Sequence, residues 1–287
     1  MPLSSRPAPV ERAKPLLGTI VSVRAGFAEA AAARAAIDAA FAEIAAVHRL
    51  MSFQEPGSDL SRLRRQRRGE VTAVDPRTAE VLAFALALAE ETDGAFDPTV
   101  AGRAVTAGGL ARPEGEAGPD PGASWRDVEL LKDGVRLGLA AWLDLGGVAK
   151  GYAVDRAVLE LKARGASDGC VNAGGDLRVF GPQAELVRLR AGDPDAAPVL
   201  ELQDGAVASS GGAAGRVATA HFDGRDQRRI DPARFACVTA ADGMTADALT
   251  KAVLAMGPAS SPVLARHGAK AWTYGAAEGW RCWGAEA

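Results

Sequence analysis

Apolar residues recur along this chain with two different periods. Within residues 28–50 they return at helical spacing through Ile37, Phe41, Ile44 and Val47. That period is typical of a helix with one buried face. The segment is therefore predicted to be a long amphipathic helix.

Further helices are expected where apolar spacing coincides with N-cap residues and terminal glycines. The expected segments are a short helix capped by Ser58, a helix from a cap at Thr78 to about Thr92, and helices at about 149–164, 245–256 and 260–267.

Strands are expected where β-branched and apolar residues alternate between turn residues. Residues 128–131 and 135–139 flank Asp133-Gly134, which predicts a hairpin. The other expected strands are 16–24, 141–145, 169–173, 176–180, 186–190, 198–203, 206–209, 216–222, 235–240, 270–274 and 279–283. Because strands are grouped between helices and many are joined by hairpin turns, the predicted fold class is α+β.

Length and composition are those of an ordinary globular protein. The chain has 287 residues, 48% of them hydrophobic and 24% charged, which suits one large domain or two interlocked smaller ones. Residues 107–124, rich in Gly, Pro and acidic residues, are expected to form a flexible surface loop or insert. The net charge of −3 gives no electrostatic reason to expect a nucleic-acid partner. The basic run at residues 64–68 is interpreted as a solvated helix face.

The cysteines and histidines predict neither a disulfide framework nor a zinc site. Cys170, Cys237 and Cys282 are widely spaced, and the three histidines lack the H-x-x-x-H spacing. The first residues contain no apolar signal region, and no window has the roughly 18 apolar residues of a membrane span. A cytoplasmic protein without a membrane span is the expectation.

Residues 143–156, LDLGGVAKGYAVDR, form the strongest candidate site. A strand is expected to end at Leu145, two glycines permit close backbone approach, and Lys150 falls in the first turn of the next helix. Free N–H groups at a helix N-terminus favour an anion, and a lysine strengthens such a site. Asp144 could hydrogen-bond a ligand group. The alternative is a tight turn with a solvated lysine.

Two further segments combine glycines or a carboxylate with turn geometry. VNAGGDLRVFG (171–181) places Asp176 after two glycines, for which a hairpin corner is the favoured interpretation when the segment is taken alone. TADALTKAVLAMG (245–257) places Asp247 one helical turn before Thr250, a set of oxygens that suits Mg²⁺. The alternative, favoured by spacing alone, is a helix N-cap at Thr245 with Asp247 complementing the dipole.

Six segments, taken together and in their order along the chain, resemble motifs of the ApbE family of flavin transferases. They are Leu17-Gly18-Thr19, MSFQEPGSDLSRL (51–63), GAFDPTV (94–100), LDLGGVAKGYAVDR (143–156), VNAGGDLRVFG (171–181) and TADALTKAVLAMG (245–257). The resemblance covers about residues 16–257. It implies that residues 1–287 form a single domain with the family's T-fold-like architecture, in which antiparallel sheets pack with helices as two intertwined sub-domains.

The resemblance also implies a substrate, a metal and their contacts. Family members take FMN from FAD and attach it to a threonine of a partner flavoprotein with release of AMP, and they require Mg²⁺; many of them are periplasmic or membrane-anchored. The implied FAD contacts are Ala95, Phe96, Asp97, Asp144 and Lys150. The implied metal ligands are the main-chain oxygen of Gly147 with Asp247 and Thr250.

This chain departs from the family pattern at two chemically important positions. Lys251 stands where the family has a threonine metal ligand, and its charge would either replace the cation or repel it. Arg228 stands where the family has a histidine, on the FAD side of the site, and arginine cannot accept a proton. His221 is then the candidate general base.

The function predicted from the sequence is Mg²⁺-dependent transfer of FMN from FAD to a threonine hydroxyl. Two alternatives stay open at this point. One is hydrolysis of FAD to FMN and AMP by water. The other is a non-catalytic flavin-binding protein with a degenerate metal site, which Lys251 and Arg228 favour.

Overall fold

The computed structural model describes residues 9–212 and 220–285, in which helices and antiparallel strands alternate along the chain. The helices of this described part are α1 (Ala30–Met51), α2 (Asp59–Arg65), α3 (Pro76–Glu91), α4 (Ala101–Thr106), α5 (Ala149–Ala163), α6 (Gly243–Met256) and α7 (Ser261–Arg266). The strands are β1 (Val10–Leu16), β2 (Thr19–Gly26), β3 (Val71–Thr72), β4 (Val128–Leu131), β5 (Gly134–Leu137), β6 (Asp168–Ala173), β7 (Asp176–Phe180), β8 (Glu185–Arg188), β9 (Val199–Leu202), β10 (Ala206–Gly211), β11 (Phe235–Ala240), β12 (Lys270–Gly275) and β13 (Gly279–Gly284). The predicted α+β class is confirmed.

The strands of residues 9–212 and 220–285 form one large sheet and two small ones. The large sheet has the order β1-β2-β6-β7-β10-β11-β12-β13, and each neighbouring pair in it is antiparallel. Strands β3, β5 and β4 form a three-stranded sheet, and β8 pairs with β9. Hairpin connections therefore dominate, as the turn residues predicted.

Alternation along β10 and β11 gives the large sheet two buried faces. Ala206 and Ala208 join the main core beneath α1, α5 and α6, whereas Val207 faces a second apolar cluster with residues of β8 and β9. Phe235 and Ala236 divide between the same two faces. Because successive side chains of a strand point to opposite faces, alternate residues of β10 and β11 contribute to each layer.

Helices α5 and α6 touch each other through two glycines near their N-termini. A Cβ atom at Gly151 would lie 2.0 Å from the backbone oxygen of Gly243, so only glycine permits this approach. The backbone N–H groups of Gly243 and Met244 both donate to the carboxylate of Asp155 at 2.8 Å. Asp155 of α5 thus satisfies the first donors of α6, which helix geometry leaves without intrahelical partners.

Two predicted N-caps were wrong, and one was confirmed. Ser58 caps α2 by accepting from the backbone N–H of Ser61. Helix α3 is capped by Asp75 instead of Thr78, and α6 by Asp242 instead of Thr245. Since α6 begins earlier than expected, Asp247 lies in its second turn instead of its first.

The predicted strand at 16–24 belongs to β2 from Thr19 onward, whereas Leu16 is the last residue of β1. Leu17 and Gly18 have φ values of 53° and 69°, and this left-handed turn separates β1 from β2. A leucine at such an angle is uncommon, so the turn carries no sequence signal.

The predicted strand at 141–145 is wrong for a different reason. Only Trp142 forms a bridge there, with Val100, and the four apolar residues of the segment are buried without forming a strand. Of the predicted strand at 216–222, residues 216–219 lie outside the described residues and the remaining three do not form one. Phe222 makes only an isolated bridge with Arg229.

The loop at 107–124 contains no helix or strand, as predicted, but it is attached to the body of the protein. The guanidinium of Arg64 donates to Glu116 at 2.5 Å, and the backbone N–H of Asp120 donates to Ala140. Its flexibility stays a prediction. None of the described helices has the length and apolarity needed to cross a bilayer.

Candidate functional site

A cavity of about 530 Å³ is bordered by the N-terminus of α5, by α6 and by turns from distant parts of the chain. Seven of the site residues expected from the sequence line it: Ala95, Phe96, Asp97, Asp144, Gly147, Lys150 and His221. Asp247, Thr250 and Arg228 do not line it. Its volume lies within the range of small-molecule sites.

Lys150 is the second residue of α5, as the sequence predicted, and its ammonium lies between two buried carboxylates. It forms an ion pair with Asp176 at the start of β7, and its Nζ is 3.7 Å from Asp247 Oδ2. Burial acts to lower the pKa of Lys150, but the two carboxylates outweigh burial and raise that pKa. The lysine is therefore a fixed positive charge at the cavity wall, which excludes the solvated-lysine alternative.

Asp247 is fully buried and is held from three sides. Its Oδ1 pairs with Lys251 Nζ, and its Oδ2 accepts from the backbone N–H of Gly151 at 3.1 Å. Burial acts to raise the pKa of Asp247, but Lys150 and Lys251 outweigh it and lower that pKa. The carboxylate is charged, and both of its oxygens already have partners.

Thr250 is also fully buried, and its hydroxyl is engaged inside the fold. Thr250 Oγ1 donates to the main-chain oxygen of Asp247 at 2.6 Å and lies 2.8 Å from Ser210 Oγ of β10. Of the three expected Mg²⁺ ligands, only Gly147 faces the cavity. The Lys251 ammonium already pairs with Asp247, and the Thr250 hydroxyl does not face the cavity. These residues therefore do not fit a hexacoordinate Mg²⁺ ion.

Asp144 and Asp97 shape two loops of the cavity wall. Asp144 Oδ1 accepts from the backbone N–H of Gly146 at 2.7 Å, and its own N–H donates to Pro98. Asp97 Oδ1 accepts from both the N–H and the hydroxyl of Thr99. Burial raises the pKa of Asp144 and of Asp97. Both carboxyl groups organise the loops while remaining part of the cavity lining.

His221 lies in the lining near both ammonium groups. Burial, then the charges of Lys251 and Lys150, lower the pKa of His221 to about 4. Its main-chain oxygen accepts from Ile230, which fixes the segment. The imidazole is neutral at pH 7 and is able to accept a proton.

Arg228 has a different environment from the one implied by the resemblance. Its side chain is 82% exposed and pairs with Asp226 at 2.5 Å. The structure places it outside the cavity lining, so a role in FAD binding stays a prediction.

The sequence did not indicate every residue of the site. The hairpin corner predicted at Asp176 is confirmed, since Gly174 and Gly175 join β6 to β7, but Asp176 also lines the cavity. Ser209 donates its backbone N–H to Asp176 Oδ1 at 3.3 Å, and with Ser210 it lines the cavity. Nothing in the local sequence of β10 marks these serines, because their position depends on pairing with β7 and β11.

Apolar side chains complete the cavity wall. Phe96, Leu110, Phe222 and Phe235 line it together with the charged groups. Aromatic and aliphatic walls with a few converging polar groups are typical of sites for ring-bearing ligands. The cavity is thus suited to a ligand that has both a flat apolar part and an anionic part.

Comparison with known proteins gives matches over most of the chain. A family model described as the ApbE family matches residues 17–273. An FAD:protein FMN transferase from Rhodobacter capsulatus is 31% identical over 176 residues, which are 58% of this chain and 34% of that protein. The matched region thus spans about a third of the length of that curated relative.

Solved structures are similar over nearly the whole fold. The apo form of the Pseudomonas stutzeri flavinyl transferase ApbE aligns with a TM-score of 0.83 and 21% identity, over 100% of this chain and 97% of that one. The flavin transferase ApbE from Vibrio cholerae gives 0.81 and 22%, over 98% of both chains. The ApbE protein from Thermotoga maritima gives 0.79 and 27%, over 96% of this chain and 97% of that one. The ApbE architecture of antiparallel sheets packed with helices, which the resemblance implied, is confirmed, and the assignment of residues 1–287 to a single domain stays a prediction.

Proposed function

Because this chain belongs to the ApbE family, we propose that it is a flavin transferase that moves FMN from FAD to a threonine hydroxyl of a partner flavoprotein and releases AMP. The observation that carries the proposal is the convergence of the 95–97, 144–150 and 209–211 segments and His221 on one cavity. That cavity combines an aromatic wall with two ammonium groups, which are the features that a flavin dinucleotide requires.

The charged side of the cavity suits the diphosphate of FAD. Lys150 stands in the first turn of α5, where the free N–H groups and the helix dipole favour an anion. Lys251 is the second ammonium in the lining. Both are held by buried carboxylates, so they are positioned before the ligand arrives, and such fixed charges stabilise a developing anion without reorganisation.

In the proposed reaction, the acceptor hydroxyl oxygen bonds to the phosphorus that carries the riboflavin moiety. The bond from that phosphorus to the bridging oxygen breaks, and AMP leaves with the bridging oxygen and its electron pair. The hydroxyl proton passes to His221. In this reaction the residues of the chain hold the phosphates and accept this proton.

The electrostatic surroundings of His221 link proton transfer to substrate binding. In the free protein the ammonium groups of Lys150 and Lys251 help to lower its pKa. A bound diphosphate would offset these two charges, and the pKa of His221 would rise toward the ordinary range of histidine. The imidazole would thus become a better base when FAD is present.

The test is to incubate the purified protein with FAD and a threonine-bearing fragment of a candidate acceptor flavoprotein. AMP is measured by chromatography, and covalent FMN by fluorescence of the acceptor band in a denaturing gel. We expect AMP and fluorescent acceptor in equal amounts, and neither product when the acceptor threonine is replaced by valine.

Two other outcomes would replace the proposal. AMP in the absence of an acceptor would identify hydrolysis of FAD. Tight FAD binding with no AMP, across several acceptor fragments and with or without Mg²⁺, would identify a flavin-binding protein that has lost catalysis.

A further inference from the structure

The ammonium of Lys251 occupies one defined position against α6. Lys251 Nζ pairs with Asp247 Oδ1 and donates to the main-chain oxygen of the same residue at 3.0 Å. Two oxygens of a single fully buried residue therefore hold it one helical turn away. Its side chain is only 15% exposed, yet it lines the cavity.

The aliphatic part of the same side chain fills the space between α6 and the glycine loop before α5. A Cβ atom built on Gly147 would lie 3.2 Å from Lys251 Cε and 3.6 Å from its Cδ and Cγ. Gly147 and Asp247 are two of the three ligands that the sequence resemblance assigned to Mg²⁺. The lysine stem passes between them, so an ion and this side chain exclude each other from that position.

Charges of opposite sign alternate in this part of the cavity. Asp176 pairs with Lys150, Lys150 lies 3.7 Å from Asp247, and Asp247 pairs with Lys251. Two ammonium groups thus face two buried carboxylates. Without Lys251 the cluster would carry a net negative charge toward any phosphate in the cavity, which would oppose binding.

We propose that Lys251 serves as a built-in cation in place of the divalent metal, so that this protein binds the diphosphate of FAD without a metal ion. The inference deepens the proposed function and rests on it for the identity of the ligand. An ammonium carries one charge where Mg²⁺ carries two, so Lys251 supplies part of the charge of the ion, next to the Lys150 ammonium on the other side of Asp247.

The test measures metal binding and FAD binding separately, so it does not depend on transfer activity. Mn²⁺ binding is followed by electron paramagnetic resonance. FAD affinity is measured by quenching of flavin fluorescence, once in EDTA and once in about 5 mM MgCl₂, which should saturate a typical Mg²⁺ site. The variants are Lys251→Thr, which restores a hydroxyl ligand, and Lys251→Met, which keeps the stem and removes the charge. Lys132→Thr, in the exposed β4–β5 turn, is the matched control for the loss of a lysine. Thermal unfolding checks that every variant is folded.

For the wild-type protein and Lys132→Thr we expect no stoichiometric Mn²⁺ binding and the same FAD affinity in EDTA and in MgCl₂. Both Lys251 variants should bind FAD about tenfold or more weakly in EDTA, because a charge-assisted contact is lost. MgCl₂ should restore Lys251→Thr but not Lys251→Met.

Stoichiometric Mn²⁺ binding by the wild-type protein, or loss of its FAD affinity in EDTA, would overturn the inference. Unchanged FAD affinity of Lys251→Met would also overturn it. If FAD binding is independent of metal but no FMN is transferred to any acceptor, the inference stands and the proposed transferase function fails.

Discussion

The carboxylate of Asp155 in α5 accepts the first backbone N–H of α6, at Gly243. It also accepts from Met244 and from the guanidinium of Arg178 in β7. One side chain thus connects two helices and the large sheet. Asp247 and Lys251 are placed by the helix whose start Asp155 fixes.

Replacement of Asp155 by alanine is expected to destabilise the fold. It leaves two helix N–H donors and Arg178 without their shared acceptor, and the free energy of unfolding should fall by about 3 kcal/mol. Asp155→Asn keeps one acceptor oxygen and should lose less. Urea denaturation of the three proteins measures the difference; equal stability of wild type and Asp155→Ala would show that water replaces these bonds without cost.

Gly151→Ala is expected to separate α5 from α6. The new methyl carbon would lie 2.0 Å from the oxygen of Gly243 and 2.9 Å from Asp247 Cβ, and neither atom belongs to a flexible chain end. The resulting overpacking should cost at least about 2 kcal/mol and weaken FAD binding in the folded fraction. Gly57→Ala is the matched control, because nothing lies within 4 Å of a Cβ atom there. Equal thermal unfolding temperatures of the two variants would contradict this account.

Lys150→Met should lower kcat/KM for FMN transfer by about 100-fold or more, because it removes a preorganised charge from the diphosphate site. It also leaves Asp176 without its ion-pair partner. Lys162→Met, whose ammonium lies on the surface near Asp204, should change kcat/KM by less than about twofold. A small effect of Lys150→Met on folded protein would mean that the diphosphate binds elsewhere in the cavity.

The pH dependence of the reaction should reveal the unusual pKa of His221. The kcat/KM profile reports the free protein, so its acid limb should fall near pH 4 instead of near the ordinary 6.5. The kcat profile should show a higher acid limb, because bound diphosphate offsets the neighbouring ammonium charges. Rates of AMP formation from about pH 3 to 9, a range that extends below the expected limb and above the ordinary pKa of histidine, provide the measurement. A kcat/KM limb near 6.5 that persists in His221→Gln would assign the titration to another group.

The same pKa shift predicts how His221 affects stability. Because its pKa is lower in the folded protein than in the unfolded chain, the unfolded chain binds the proton more readily between pH 6.5 and about 4. The contribution of His221 to the free energy of unfolding is therefore complete above pH 6.5 and is lost as the pH falls toward 4. In His221→Gln this part of the pH dependence should disappear.

Much of the fold was predictable because its elements carry strong periodic patterns. Helix α1 and strand β11 lie where apolar spacing placed them. The hairpin turn at Leu17 was not predictable, since a leucine gives no sign of positive φ. The segment around Trp142 was misread because continuous burial in irregular structure produces the same apolar run as a strand.

The candidate site was predictable in its residues but not in their pairing. The glycine loop and Lys150 could be recognised from local sequence, and both line the cavity. The contact between Lys150 and Asp247 joins residues 97 positions apart, and the approach of α5 to α6 that creates it depends on Gly151. Asp247 pairs with Lys251, one turn further along α6. The sequence shows the charge of Lys251 but not that its ammonium lies against Asp247.

Alanines on the helix-facing side of β10 and β11 set the depth at which α6 rests on the sheet. Ala206, Ala208 and Ala236 are buried there, and Ser210 continues the same side of β10 to meet Thr250. A side chain one or two methylenes larger at Ala208 would lift α6, and with it the Lys251 ammonium, by a fraction of an ångström, since packed interiors transmit volume changes. Substitutions at these alanines would therefore change the affinity of the cavity for an anion, although the alanines do not contact the anion themselves.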